Sequence, residues 1–249
     1  NSRSKILVEP IRVRRVGKER MKEIEGAKWI WGGDNPRPIN TYRYFRKEFS
    51  LKKIPESAEI LMFAEFRYKL YINGQFIQTG PTPCHPAYRL VDRYSILPYL
   101  QKGKNCIGVI VYCPGVMTGQ WTLVNPALIV MIRIDNGRIN IPSDRLWKTL
   151  PSRAWKHPTQ FCGYGKGFYE WHRIAGIPDG WNKQGFDDEG WEDASELPFY
   201  AYGDAEHLKE NYTGYPTLYE HLPVKLIKAD IASGIITEAK RKEEAEYYT

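Results

Sequence analysis

The chain has no uninterrupted run of eighteen apolar residues; its longest apolar stretches, such as Ala127 to Ile132, are only strand-sized. Nothing in it is therefore long enough to cross a bilayer as a helix. Cysteine is scarce: Cys84, Cys106, Cys113 and Cys162 are the full set, and no two form a Cys-x-x-Cys pair, which argues against a structural zinc. Cys106 and Cys113 flank an apolar strand and read as buried free thiols, with a disulfide left open. The histidines (His85, His157, His172, His207, His221) lack metal-ligand spacing of the His-Glu-x-x-His kind. A Gly-x-Ser-x-Gly nucleophile elbow is missing. Gly163-Tyr164-Gly165-Lys166-Gly167 is rich in glycine, but a strand-like run follows it and none precedes it. A dinucleotide loop needs the opposite order, so this segment reads as a turn. No internal repeat is present, no cofactor is implied, and the first residue is Asn1 with no signal peptide. That start reads as a fragment or a processed chain whose parent compartment stays open, and the composition is that expected of a soluble globular protein.

Charge of one sign is in excess, at a net +7, yet it is unevenly spread. Residues 1–26 hold eight cations against four acids, so the basic start accounts for more than half of the excess. No helix-turn-helix, zinc-finger or RNA-recognition pattern accompanies it, and a nucleic-acid partner is not expected. The segment reads as a solvated basic extension, with Ile6 to Val16 a possible strand and Lys18 to Gly26 a helical turn or two.

What the chain does have is aromatic side chains and short alternating segments. Aromatics make up 14% of it, with 8 Trp and 17 Tyr, a richness that suits both a β-sandwich core and the stacking of sugar rings. Tyr44 to Phe49 alternates, with Phe45 and Phe49 on one face. Tyr68, Leu70 and Ile72 alternate against Arg67, Lys69 and Tyr71, as a half-buried strand does. Asn73-Gly74 follows at once, and Phe76-Ile77 resumes the apolar pattern. That is a hairpin, because a type I′ turn needs positive φ at both central residues. Ala58 to Ala64, Cys106 to Tyr112, Ala127 to Ile134, Leu146 to Leu150 and Phe168 to Ile174 are further strands, and Asn136-Gly137 turns into Arg138 to Ile141. Ser95 to Gln101 reads as a short helix closed by Gly103. The pattern predicts an all-β, antiparallel β-sandwich with a few short helices. Glu238 to Glu246, with opposite charges four apart, reads as a solvated helix or a tail.

Several of these elements, in order, resemble a known family. Trp29-Ile30-Trp31 with Tyr44-Phe45-Arg46-Lys47-Glu48-Phe49 is similar to the opening of bacterial α-L-rhamnosidase N-terminal domains. Tyr68 to Gly74 is similar to their Asn-Gly hairpin, the run Leu100, Gly103, Asn105, Ile107 and Val109 to their Gly-x-Asn element, the pair Asp144 and Trp147 to their Asp-x-x-Trp strand, and Gly180-Trp181 followed by Gly185-Phe186-Asp187-Asp188 and Trp191 to their closing segment. The resemblance covers roughly residues 27–200. It implies a jelly-roll, galactose-binding-like sandwich standing before the helical catalytic barrel of a glycoside hydrolase that removes terminal L-rhamnose. The expected organisation is a basic extension over 1–26, a carbohydrate-binding-like sandwich over 27–215, and a strand or linker over 216–249 leading to that barrel.

An inverting glycosidase needs two carboxyls about 6.5–9.5 Å apart. The available acids are Asp187, Asp188, Glu189, Glu170, Asp204 and Glu206. Adjacent Asp187 and Asp188 suit a turn, and Glu170 beside Trp171 reads as buried but unpaired. The chain is thus expected to be non-catalytic alone. Its partners would be a carbohydrate and the catalytic barrel; an independent lectin-like module is the alternative. Sugar sites need a flat aromatic and planar polar groups at a loop rim. Loop 114–125 with Tyr112, and loop 81–89, supply these, and Trp121, Tyr112, Arg67 and Arg89 are the expected contacts. The competing role for the same loops is packing against the barrel. Asn211-Tyr212-Thr213 matches a glycosylation sequon, a tripeptide common by chance.

Overall fold

A computed structural model describes residues 22–82, 84, 89–198, 208–210, 224–230 and 235–241. The chain divides into two compact units between Tyr215 and Pro216.

The first unit contains β1 (Ile30–Trp31), β2 (Thr41–Leu51), β3 (Ala58–Ala64), β4 (Tyr68–Ile72), β5 (Gln75–Gly80), β6 (Arg89–Ser95), β7 (Gly103–Cys113), β8 (Leu128–Ile134), β9 (Ile139–Pro142), β10 (Lys148–Pro151), β11 (Glu192–Asp193), β12 (Ser195–Glu196) and β13 (Leu208–Glu210). They form two sheets. The first runs β12-β1-β8-β3-β6-β13 with β9 also on β8, and the second runs β11-β10-β2-β7-β4-β5. All pairs are antiparallel except β13 with β6. The second unit, by itself, is a hairpin of β14 (Val224–Asp230) and β15 (Ile235–Arg241).

Alternation explains the layering. Along β3, Ala58, Ile60, Met62 and Ala64 face one way and join Phe45, Leu70, Ile72, Val109 and Val111 of the second sheet in the main core. The intervening Leu61 and Phe63 face outward and are covered by Ile24 and Trp29. The outer face of the second sheet is covered in the same manner: Tyr44 and Ile110 lie under Trp181 and Trp191. Each sheet is therefore buried on both faces, which is why β3, β7 and β8 read as nearly continuous apolar runs. The Asn73-Gly74 turn joins β4 to β5 with φ of 49° and 84°, the left-handed values that admit asparagine and glycine.

The all-β sandwich is as expected from the alternation. Three local readings differ. Phe168 to Ile174 is not a ladder strand; it is an extended arm held by isolated bridges at Trp155–His172 and Phe161–Phe168 and ending in a 3-10 turn at Ile174–Gly176. Its period-2 pattern arises because the arm pairs with another loop rather than with a sheet. Residues 238–241 are strand, not helix: β15 pairs with β14, and cross-strand bonding overrides the weak i,i+4 charge pattern. The Ser95–Gln101 helix shrinks to a 3-10 turn at Leu97–Tyr99, after β6 has run through Ser95. A similar turn at Lys22–Ile24 is the described part of the 18–26 segment; the suggested strand at 6–16 lies outside the described residues. All four cysteines are free, with Cys106 and Cys113 buried.

Candidate functional site

Of the four expected contact residues, the fold brings two together. Arg67, exposed just before β4, accepts the Tyr112 amide on its carbonyl at 2.8 Å and donates from its guanidinium to Gln120 Oε1. Arg67, Tyr112 and Gln120 thus share one end of the sandwich. Trp121 lies elsewhere in role. Thr118 and Trp121 bond each other's backbones across a tight turn, which leaves Gln120 outside and turns Trp121 inward. Its indole is 8% exposed and packs edge-on against Phe66 at 6.0 Å. Arg89 is also buried: its Nε donates to Glu65 Oε1 at 2.6 Å, and its guanidinium sits 5.7 Å from the Trp29 ring. Burial pushes the Glu65 carboxyl up while Arg89 pulls it back down. Trp121 and Arg89 hold the rim in place; their polar or flat surfaces are spent on packing. His85 and Tyr88 lie outside the described residues.

The feature that organises this end is a ladder of stacked rings. Tyr42 and Tyr112 are direct cross-strand neighbours on β2 and β7, with centroids 4.5 Å apart. Trp155 stacks on Tyr42 at 4.1 Å and 11°, and His172 stacks on Trp155 at 4.3 Å. Each such contact is worth about 0.5–1.5 kcal/mol beyond its area. Polar groups bind the ladder edges. The Tyr112 hydroxyl donates to Asn40 Oδ1 at 3.2 Å, Asn40 Nδ2 donates to Thr159 Oγ1 at 2.7 Å, and the Thr159 hydroxyl donates to the Tyr169 carbonyl at 2.6 Å. The Trp155 indole N–H donates to Glu170 Oε1 at 2.6 Å. Glu170 is exposed and engaged, where its strand-like setting beside Trp171 had suggested burial.

Burial pushes the Tyr112 phenol up to about 12 and the Tyr42 phenol higher still; Glu170 adds to both shifts and Arg67 opposes them. Both rings stay neutral hydrogen-bonding groups across the physiological range. Neither Tyr42, Trp155 nor His172 stood out in the sequence. Nothing in the local sequence sets them apart from neighbouring aromatics, and only the approach of Trp155 to Tyr42, more than a hundred positions away, makes them a row.

The remaining acids have structural partners or stand alone. Arg46, 1% exposed, bonds Asp188, Glu48 at 2.6 Å, and the carbonyls of Trp181 and Lys183 at 2.9 and 3.0 Å. Asp187 Oδ1 accepts from the Glu189 amide at 3.1 Å. Glu189 is exposed, and Asp204 and Glu206 lie outside the described residues. No cluster of three potential metal ligands occurs among the described residues.

A double sheet with covered outer faces and an aromatic loop end is the build of a β-sandwich module. No family model matches the chain, and none of the curated proteins matches it. Solved structures do. A GH78 rhamnosidase from Bacillus sp. GL1 is similar over 74% of this chain, with 30% identity and a TM-score of 0.67, and the match spans 20% of that protein. The α-L-rhamnosidase of Aspergillus terreus matches 75% of this chain and 22% of its own, at 24% identity and a TM-score of 0.60. A Pleurotus ostreatus lectin shares the fold over 76% of this chain and 46% of its own, at 24% identity and a TM-score of 0.52. The chain resembles a domain of the GH78 α-L-rhamnosidases and spans about a fifth of the length of those it matches.

Proposed function

We propose that this chain is a non-catalytic accessory domain, of the jelly-roll, galactose-binding-like type, from a bacterial α-L-rhamnosidase-like glycoside hydrolase. The whole protein would hydrolyse terminal L-rhamnose from glycosides. One observation carries the reading: three quarters of the chain superposes on a fifth of a GH78 rhamnosidase at 30% identity. In this reading residues 1–26 are a basic extension, 27–215 the sandwich, and 216–249 the strand and linker toward a catalytic barrel. The loop end holding Arg67, Tyr112 and Gln120 contacts carbohydrate, braced from within by Trp121 and Arg89.

The test has two arms. The chain alone should give no turnover of an aryl α-L-rhamnoside, whereas the product of the reading frame extended past Thr249 should release rhamnose. Activity of the chain alone, or an extended product that cleaves no rhamnoside, would overturn the assignment. A lectin-like module acting independently of hydrolysis is the second reading, favoured by the shared fold of the Pleurotus lectin. It requires sugar binding by a protein whose gene encodes no barrel.

A further inference from the structure

The arm that carries Trp155 and His172 has a second face. Its backbone bonds run from the Arg173 amide to the Ala154 carbonyl at 2.6 Å, from Lys156 to Trp171 at 2.8 Å, from Tyr169 to Gln160 at 3.0 Å and from Cys162 to Gly167 at 2.7 Å. This is an irregular two-armed hairpin with its tip at 163–167. Side chains alternate across an extended chain. Trp155, Glu170 and His172 meet on the side stacked against Tyr42. Trp171 and Lys156 meet on the other, the ammonium 4.0 Å from the indole centroid. Tyr169 and Arg173 stand two residues either side of Trp171.

This second face is both aromatic and basic. Trp171 is 56% exposed and Tyr169 63%. Between Pro151 and Gly176 the chain has four cations, Arg153, Lys156, Lys166 and Arg173, against the single acid Glu170. All four cations are exposed, and no described carboxylate lies within ion-pair distance of any of them. Some surface cations elsewhere are paired, Lys148 with Asp193 at 2.7 Å and Arg93 with Glu59 at 2.7 Å, whereas on this arm, with its exposed rings, all four stand without such a partner among the described residues. Pressing the arm against an apolar protein surface would bury those charges unpaired, which is costly. A flat ring beside unanswered cations instead suits a ligand with sugar faces and negative charge.

We propose that the outer face of the 154–173 arm binds an acidic, uronate-bearing glycan, with Trp171 as the stacking surface and Lys156 and Arg173 as the carboxylate contacts. The inference rests on the carbohydrate reading above and adds the charge class of the ligand and its place on the fold. Engagement of Lys156 by a carboxylate draws the ammonium off the indole and frees that ring face for a pyranose.

The experiment titrates the full chain at low and high salt with a galacturonic acid oligosaccharide, a neutral galactose oligosaccharide of equal length, and single-stranded poly-U. The acidic sugar should bind roughly tenfold or more tightly than the neutral one and weaken as salt rises. Trp171→Ala, and separately the double charge reversal Lys156→Glu with Arg173→Glu, should each reduce that binding by roughly tenfold, with near-ultraviolet circular dichroism showing the sandwich intact. Equal binding of acidic and neutral sugars, an unchanged affinity in both variants, binding of neither sugar, or a preference for poly-U would each overturn the proposal. Rhamnoside turnover by the extended protein is a separate measurement, so loss of the glycan site and loss of the rhamnosidase assignment are told apart.

Discussion

Arg46 and Asp188 lie far apart in sequence, yet they form an ion pair on the outer face of the second sheet, with the arginine side chain 1% exposed. The guanidinium also bonds the carbonyls of Trp181 and Lys183 and lies 5.3 Å from the Phe186 ring. One buried side chain thereby fastens the whole 181–191 segment, whose Trp181 and Trp191 then cover Tyr44. Arg46→Met should cost about 3 kcal/mol, because it leaves Asp188 and two inward carbonyls without their donor. Urea denaturation measures the loss, and tryptophan emission should shift to the red as the cover loosens. An unchanged midpoint would refute this role for Arg46.

Trp155 is the middle rung of the ring ladder, and its removal should release the arm without unfolding the sandwich. Trp155→Ala deletes two stacking contacts, for an expected loss of about 1–3 kcal/mol. Hydrogen exchange of the Lys156 and Arg173 amides, bonded to Trp171 and Ala154, should accelerate, while amides of β7 keep their protection. Trp155→Phe retains stacking but loses the bond to Glu170, so it should fall between the two.

The buried phenols link stability to alkaline pH. Burial raises Tyr68, whose hydroxyl bonds Asp92 at 2.5 Å, and raises Tyr112 to about 12 from the ordinary 10.0. The unfolded chain releases these protons near pH 10 and the folded chain only later. Their contribution is therefore fully present below pH 10 and is lost as pH climbs from 10 toward 12. Phenolate absorbance should show a class of tyrosines that titrates only with unfolding, and denaturation midpoints should fall over the same window.

Thiol reactivity should separate the cysteines. Burial pushes the Cys106 thiol up to about 11 and the Cys113 thiol up to about 12. The reactive form is the thiolate, so at pH 8 a disulfide reagent should modify half-buried Cys162 first and reach Cys106 and Cys113 only in denaturant. Mass spectrometry of the labelled peptides gives the order. Fast labelling of Cys113 in the folded chain would contradict the burial.

Much of the sandwich was legible because its signals are local. The turn at Asn73-Gly74 needs only two residues that tolerate left-handed φ, and the alternation of Tyr68, Leu70 and Ile72 directly marks which side faces the core. The strand expected at Phe168 to Ile174 is instead one half of the 154–173 arm, for the complementary reason. Its alternation is real, but whether an extended segment joins a sheet depends on which distant backbone it meets. The site was half legible: Arg67 and Tyr112 flank strand ends, where a rim is expected, whereas the inward turn of Trp121 follows from the Thr118–Trp121 turn and the depth of Phe66 beneath it.

Sequence alone was sufficient for the class of fold, the hairpin turns and the composition of the inner faces, because strand alternation and turn dihedrals are set within a few residues. Tertiary structure alone determined that Arg46 is a buried hub, that Trp155 bridges Tyr42 and His172, and that Lys156 lies over the exposed Trp171 ring. Those outcomes depend on desolvation and ring contact between residues brought together only by the packing of whole sheets and loops, and no local pattern encodes such distances.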